Sequence, residues 1–249
     1  IDPALSARLV ETVEAPAGYA GPLRVEYTLD AELTRRVFRV LERARVERGH
    51  VVVLDVKTGR VLAFASADPQ ALPPERAYPA ASLAKVITAA AALEHDRARA
   101  LAPCRYRGSP YRLTRSRVHP AKGGNEASLT KALAGSYNQC FAQLAVHALG
   151  EVPLVEAFER FGWTSAAAPG QERASIARGE GDYGLGKLGS GLAPTRATAL
   201  HAAQLVASLD AGLLVEPWWI DRIVDGEGRA LGRPARAAPR RVIEPRVSN

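Results

Sequence analysis

The stretch from His50 to Ser66, HVVVLDVKTGRVLAFAS, constrains the fold more than any other. Two apolar runs rich in β-branched residues, Val51 to Val56 and Arg60 to Ser66, are parted by Lys57-Thr58-Gly59. Such runs read as strands. A connection this short, closing on a glycine able to take a positive φ, joins them as an antiparallel hairpin. Upstream, VEYTLDAELTRRVFRVLERARVERGH reads as a short strand, then Asp30 as N-cap of a helix with Leu33, Val37, Val40 and Leu41 on one face, ending near Gly49.

The remainder is mainly helical. ASLAKVITAAAALEHD predicts an apolar helix with Ser82 in its first turn, after a loop holding Pro73, Pro74 and Pro79. SLTKALAGSYNQCFAQLAVHALG predicts two helical pieces broken at Gly135-Ser136, and VPLVEAFERFG a short helix stopped by Gly162. RGEGDYGLGKLGSGLAP reads as a glycine-rich turn before a long helix from Thr195 to about Leu209. PWWIDRIVDGEGRALGR predicts strand, turn and strand, while residues 100–127 read as irregular and polar. Residues 1–24, rich in Ala, Pro and Gly, read as a linker or the end of a preceding segment, with the folded domain spanning 25–249.

The composition excludes several classes. With 47% hydrophobic and 24% charged residues the chain is neither disordered nor fibrous. No apolar run is long enough to span a bilayer. The formal net charge of +7 comes mainly from arginines that read as scattered singly and in pairs without interleaved aromatics, which argues against nucleic acid and for a solvated surface. An acidic partner such as a cell-wall polymer stays open. Cys104 and Cys140 lack CxxC spacing, and the five His form no HExxH-type cluster, so no metal or other cofactor is expected. Whether the cysteines are two buried thiols or one disulfide is left open.

Ser82 and Lys85 form Ser-x-x-Lys at the start of an apolar helix. Three residues return the chain nearly to the same face, so the ammonium reaches the hydroxyl. Lysine acts as the base for a serine nucleophile only when burial lowers its pKa, and Leu83, Ala84, Val86 and Ile87 help exclude water. With 12 serines and five lysines in 249 residues, chance alone gives roughly a quarter of one such spacing, so the motif is weak by itself. A second instance, Ser128 and Lys131, reads as an N-cap followed by a solvated lysine. Ser136 and Asn138 form Ser-x-Asn at a helix break: a hydroxyl to relay a proton and an amide to hold a substrate carbonyl, or merely caps of the second helix.

Taken together and in order, these segments resemble the transpeptidase domain of penicillin-binding proteins. YTLDAELTRRVFRVL is similar to that family's opening strand and helix, and GHVVVLDVKTGRVLAFAS to its first sheet hairpin. YPAASLAKVITAAAALE resembles the segment bearing the acylated serine, SLTKALAGSYNQCFAQLAVHALG the Ser-x-Asn segment, and GLGKLGSGLAPTRATALHAAQLVASLDAGLL the glycine-rich turn and following helix. The resemblance implies an α/β fold with helices packed on an antiparallel sheet. It makes Ser82 the nucleophile, Lys85 its base, Ser136 the proton relay and Asn138 a substrate-amide ligand. It implies acyl transfer on the D-Ala-D-Ala end of peptidoglycan stem peptides, β-lactams as inhibitors, cell-wall synthesis proteins as partners, and a periplasmic or extracytoplasmic location with membrane anchorage.

The same family carries Lys-Thr-Gly on an inner strand well after Ser-x-Asn. Here the triplet at Lys57 precedes both other motifs and is accounted for by the hairpin, and Lys187-Leu188-Gly189-Ser190 leads into a helix. The C-terminal strands are therefore expected to be absent from these residues. That would remove one oxyanion N–H, a loss typically of about a hundred- to thousandfold in rate, and leave sheet edges and an apolar face open. The alternatives are an active transpeptidase represented by a fragment, a non-catalytic scaffold or binding module, or a β-lactamase or DD-carboxypeptidase sharing the same four side chains.

Overall fold

A computed structural model describes residues 10–19, 21–232 and 235–248. It combines helices with antiparallel sheets and divides into two compact units, one of residues Ile1–Arg76 with Leu214–Arg240, the other of Ala77–Leu213 with Arg241–Asn249. Among the described residues no helix is long and apolar enough to cross a membrane.

In the first unit, strand β1 (Val10–Val13) pairs antiparallel with β2 (Leu23–Tyr27). Within residues 1–24, read as a linker or the end of a preceding segment, Val10–Val13 is a strand and not linker, because alternating Val10-Glu11-Thr12-Val13 finds a ladder partner; residues 1–9 and 20 lie outside the described residues. β2 pairs on its other side with Ile220–Val224, which pairs with Ala230–Gly232, completing a four-stranded sheet and matching the expected strand, turn and strand.

Helix α1 (Ala31–Arg43) starts where Asp30 accepts the Leu33 N–H at 2.8 Å. It ends six residues before Gly49, in a Schellman turn: Arg45 takes φ 51°, its N–H donates to Glu42 and that of Val46 to Leu41. Its apolar face is also corrected. Leu41, Val37 and Phe38 pack against Ala65 and Ala67, whereas Val40 is exposed. The hairpin forms as expected, from β3 (His50–Leu54) and β4 (Val61–Ser66). Asp55 shapes its turn by accepting from the N–H groups of Lys57 and Thr58 and from the Thr58 hydroxyl, and Gly59 has φ 73°. Val61, Ala63 and Ala65 are buried, while Leu62 and Phe64 on the opposite face are only partly so. Apart from a parallel bridge between Arg60 and Trp218, β3 and β4 ladder only with each other among the described residues.

The second unit is built round α2 (Ala84–His95), buried on nearly every side. Its alanines let neighbours approach closely. Against it lie α6 (Glu151–Arg160), α7 (Gly181–Ser190) and a π-helical stretch Leu144–Leu149. The smaller α3 (Arg97–Leu101), α4 (Leu129–Ala134) and α5 (Asn138–Gln143) complete one side, and α8 (Ala199–Ala211) follows α7 in the chain. Trp163, Phe158, Leu154 and Leu200 are fully buried.

Two expectations are corrected in this unit. The glycine-rich stretch is a ten-residue helix, α7, because its glycines serve packing: a Cβ on Gly189 would lie 2.4 Å from Ala145 Cβ, and one on Gly186 3.0 Å from Ala142 Cβ. The following helix begins at Ala199, not Thr195, since Arg196–Ala197 pair with Tyr78–Pro79 and Thr198 caps the helix. Residues 100–127, expected to be irregular, hold a two-stranded ladder of Cys104–Tyr106 with Asn125–Ala127.

Filling the Gly189 contact with a branched side chain is expected to cost about 1–3 kcal/mol. Gly189→Val should therefore lower Tm by roughly 2–10 °C in a thermal melt. An unchanged Tm would show that α7 is not held against Ala145.

Candidate active site

Ser82 lies in a 3-10 turn, Ala81–Leu83, that leads into α2. Ala81 takes φ 47°, and Gly191, at φ 75°, passes so close that a Cβ there would be 2.0 Å from the Ala81 carbonyl oxygen. The turn exposes Ser82, while Lys85, in the first turn of α2, is only 1% exposed.

Ser136 occupies the break between α4 and α5. Its N–H donates to Leu133 and that of Tyr137 to Ala132, a Schellman turn with Ser136 at the left-handed position, φ 56°. Glycine fits that backbone at no steric cost and serine does not, so the hydroxyl is held at some expense in strain. This geometry brings three groups together. Lys85 Nζ lies 2.8 Å from Ser82 Oγ and 2.9 Å from Ser136 Oγ, and the two hydroxyl oxygens are 2.8 Å apart.

Asn138 is the first residue of α5, and its Nδ2 donates to the Tyr111 carbonyl at 2.8 Å. Neither Ser136 nor Asn138 caps that helix through its side chain; Tyr137 holds the N-cap position without a side-chain bond. By contrast Ser128 is a cap, accepting the Lys131 N–H at 3.2 Å, and exposed Lys131 stays outside the cluster.

Burial lowers the Lys85 ammonium from its usual range to about 8. The nearest aromatic face, Phe141, lies 6.0 Å from Nζ and gives it little compensation. Protonated, Lys85 donates to both hydroxyls. Neutral, it offers a lone pair to the Ser82 O–H while still donating to Ser136. The cluster can thus take a proton from Ser82 and pass one through Ser136, which suits a serine nucleophile attacking a carbonyl.

The residues matched by the family described as penicillin binding protein transpeptidase domain are 49–248. The chain belongs to this family. No curated protein matches its sequence. Among solved structures it resembles penicillin-binding protein A from Mycobacterium tuberculosis, an imipenem acyl-enzyme complex, at 22% identity and TM-score 0.74, over 90% of this chain and 60% of that one. Penicillin-binding protein 3 from the same organism, complexed with aztreonam, matches at 20% identity and TM-score 0.71, over 90% and 55%. The D,D-transpeptidase domain of a peptidoglycan glycosyltransferase from Eggerthella lenta matches at 19% identity and TM-score 0.68, over 90% and 63%. The chain thus spans about three-fifths of the length of these proteins.

In this penicillin-binding transpeptidase domain Lys57-Thr58-Gly59 and Lys187-Leu188-Gly189 each belong to a local element of their own. Lys57 sits in the Asp55 turn of the hairpin. Lys187, the only lysine after Asn138, lies within α7 with its ammonium 5.2 Å from the Tyr183 ring centre.

Sequence reasoning missed the residues that steady the Ser-x-Asn turn. Gln139, 1% exposed, places Nε2 at 3.1, 2.7 and 3.2 Å from the carbonyls of Arg107, Ser109 and Arg112, which share its two N–H donors. Gln143, one turn on, donates to the Arg105 carbonyl at 2.9 Å. The available signal was two glutamines four apart on the inner face of an apolar helix, where an amide without partners would be costly. The open question about the cysteines is settled too: Cys104 and Cys140 form a disulfide, tying α5 to the strand before this loop.

The Lys85 shift predicts a pH profile. Acylation of Ser82 by a β-lactam should accelerate as pH rises through about 8, following the neutral amine, and stopped-flow rates would test this. Stability carries the same signature. Between about 8 and the unfolded value of about 10.4 the unfolded chain binds more protons, so stability rises with pH across that window. Lys85→Met should gain most over the parent below pH 8 and lose that advantage toward pH 10. A flat difference between the two melting curves would place the shift elsewhere.

Proposed function

We propose that the chain is the acylating part of a serine DD-transpeptidase that cross-links peptidoglycan stem peptides and is acylated by β-lactams. The observation that carries this is the triangle of exposed Ser82, buried Lys85 and Ser136, each within 2.9 Å of the other two. Ser82 Oγ attacks the carbonyl carbon of the penultimate D-Ala as its proton passes to neutral Lys85. Ser136, in contact with both, returns a proton to the departing amine, and the C–N bond to the terminal D-Ala breaks. The ester on Ser82 is then attacked by an amine of a neighbouring strand. Asn138, oriented by the Tyr111 carbonyl, holds an amide of the donor peptide. The Ser82 N–H contributes one oxyanion donor.

The Cys104–Cys140 disulfide supports a location outside the cytoplasmic membrane, in the periplasm or its equivalent, where such bonds persist. The acyl-enzyme complex named for a structural neighbour supports β-lactam binding here as well.

The test is intact mass after incubation with benzylpenicillin. One adduct is expected on the parent and none on Ser82→Ala. Ser136→Ala should acylate about a hundred- to ten-thousandfold more slowly. A well-folded parent that forms no adduct would sink the catalytic reading in favour of a scaffold, and rapid turnover of the drug would favour a hydrolase.

A further inference from the structure

The arginines are less scattered than their overall frequency suggests. Residues 105–122 hold Arg105, Arg107, Arg112, Arg115, Arg117 and Lys122 with no Asp or Glu, six positive charges in a chain whose formal net charge is +7. This basic segment is fastened to the Ser-x-Asn turn. Gln139 holds it by the carbonyls of Arg107, Ser109 and Arg112, the Gln139 N–H donates to Pro110, and Asn138 holds the Tyr111 carbonyl.

Several of its cations are already engaged. Arg105 pairs with Glu126 at 2.8 Å, Arg115 lies over the Tyr183 ring at 5.5 Å, and Arg117 braces the loop by donating to the Arg112 carbonyl at 3.3 Å. The guanidinium groups of Arg107 and Arg112 are exposed and make no hydrogen bond or ion pair among the described residues. Their backbones are pinned on either side of Tyr111, whose carbonyl fixes Asn138. Two exposed guanidinium groups without partners among the described residues, carried on backbone whose carbonyls converge on one Gln139 amide next to Asn138, suit a carboxylate, which a planar fork binds bidentately.

We propose that Arg107 and Arg112 form a specificity subsite for a side-chain carboxylate of the donor peptide, upstream of the bond that Ser82 attacks. The subsite rests on the transpeptidase reading, and its recognition of charge is separable from the acylation chemistry. A peptide whose backbone lies along Asn138 brings its neighbouring side chains to this loop. A carboxylate there gains two charge-assisted contacts, and a carboxamide does not.

Binding to the Ser82→Ala variant, followed by fluorescence anisotropy, tests this without turnover. The probes are two peptides ending in D-Ala-D-Ala and carrying a neutral dye, one with a side-chain carboxylate upstream and its twin with a carboxamide. The acidic peptide should bind about tenfold or more tightly, an advantage that shrinks as salt is raised. Adding Arg107→Gln and Arg112→Gln should bring the twins within about twofold, and the corresponding lysine pair, which keeps the charge but not the fork, should restore only part of the difference.

Equal binding of the twins, no binding of either, or a preference that survives the glutamine pair would overturn the subsite. So would arginine-dependent binding of an inorganic polyphosphate chain without peptide discrimination, which would assign the loop to a phosphate polymer. A parent that discriminates the peptides but forms no penicillin adduct would leave the subsite standing and overturn the catalytic reading alone.

Discussion

Everything at the site depends on burying one lysine without giving it a counter-ion. Lys85 enters the unit at the first turn of α2, where alanines on the same helix admit close neighbours and so exclude water from Nζ. Among the described residues only two serine hydroxyls are within hydrogen-bonding reach of the ammonium. A carboxylate in their place would hold the proton on the lysine and leave it unable to act as a base. The absence of acidic company is what makes the amine available near neutral pH, and it is also a standing cost in stability. The packing of α6, α7 and the π-helical stretch around α2 has to offset that cost.

Much of this was legible in the sequence because it was local. The Lys57-Thr58-Gly59 hairpin, the Asp30 and Ser128 caps and the break at Gly135-Ser136 each follow from a few neighbouring residues. What escaped was set by distance in the chain. The glycines of α7 read as a turn because glycine is a poor helix former. Their helical role appears only once Ala142, Ala145 and Phe141 are placed against them. The end of α1 escaped because its Schellman turn uses Arg45 where glycine would have announced it. Val40 was assigned to the buried face because apolar spacing alone does not say which side of a broad stripe meets the sheet.

The site shows the same division. Ser82 and Lys85 are three apart, and a helix brings them together whatever the rest of the fold does. Ser136 lies 54 residues from Ser82 and joins it only through tertiary packing. The loop that orients Asn138 had no motif at all. Its attachment runs through main-chain carbonyls, which every residue possesses, so the sequence records only the glutamine that reads them.

The left-handed turn at Ser136 has an implication for how such a domain can change. Because glycine is the easier residue at φ 56°, exchanging Ser136 for glycine would relax the backbone and erase the proton path in one step. Stability and chemistry pull in opposite directions at this codon, and a lineage released from the need to acylate would find the loss of its relay locally downhill.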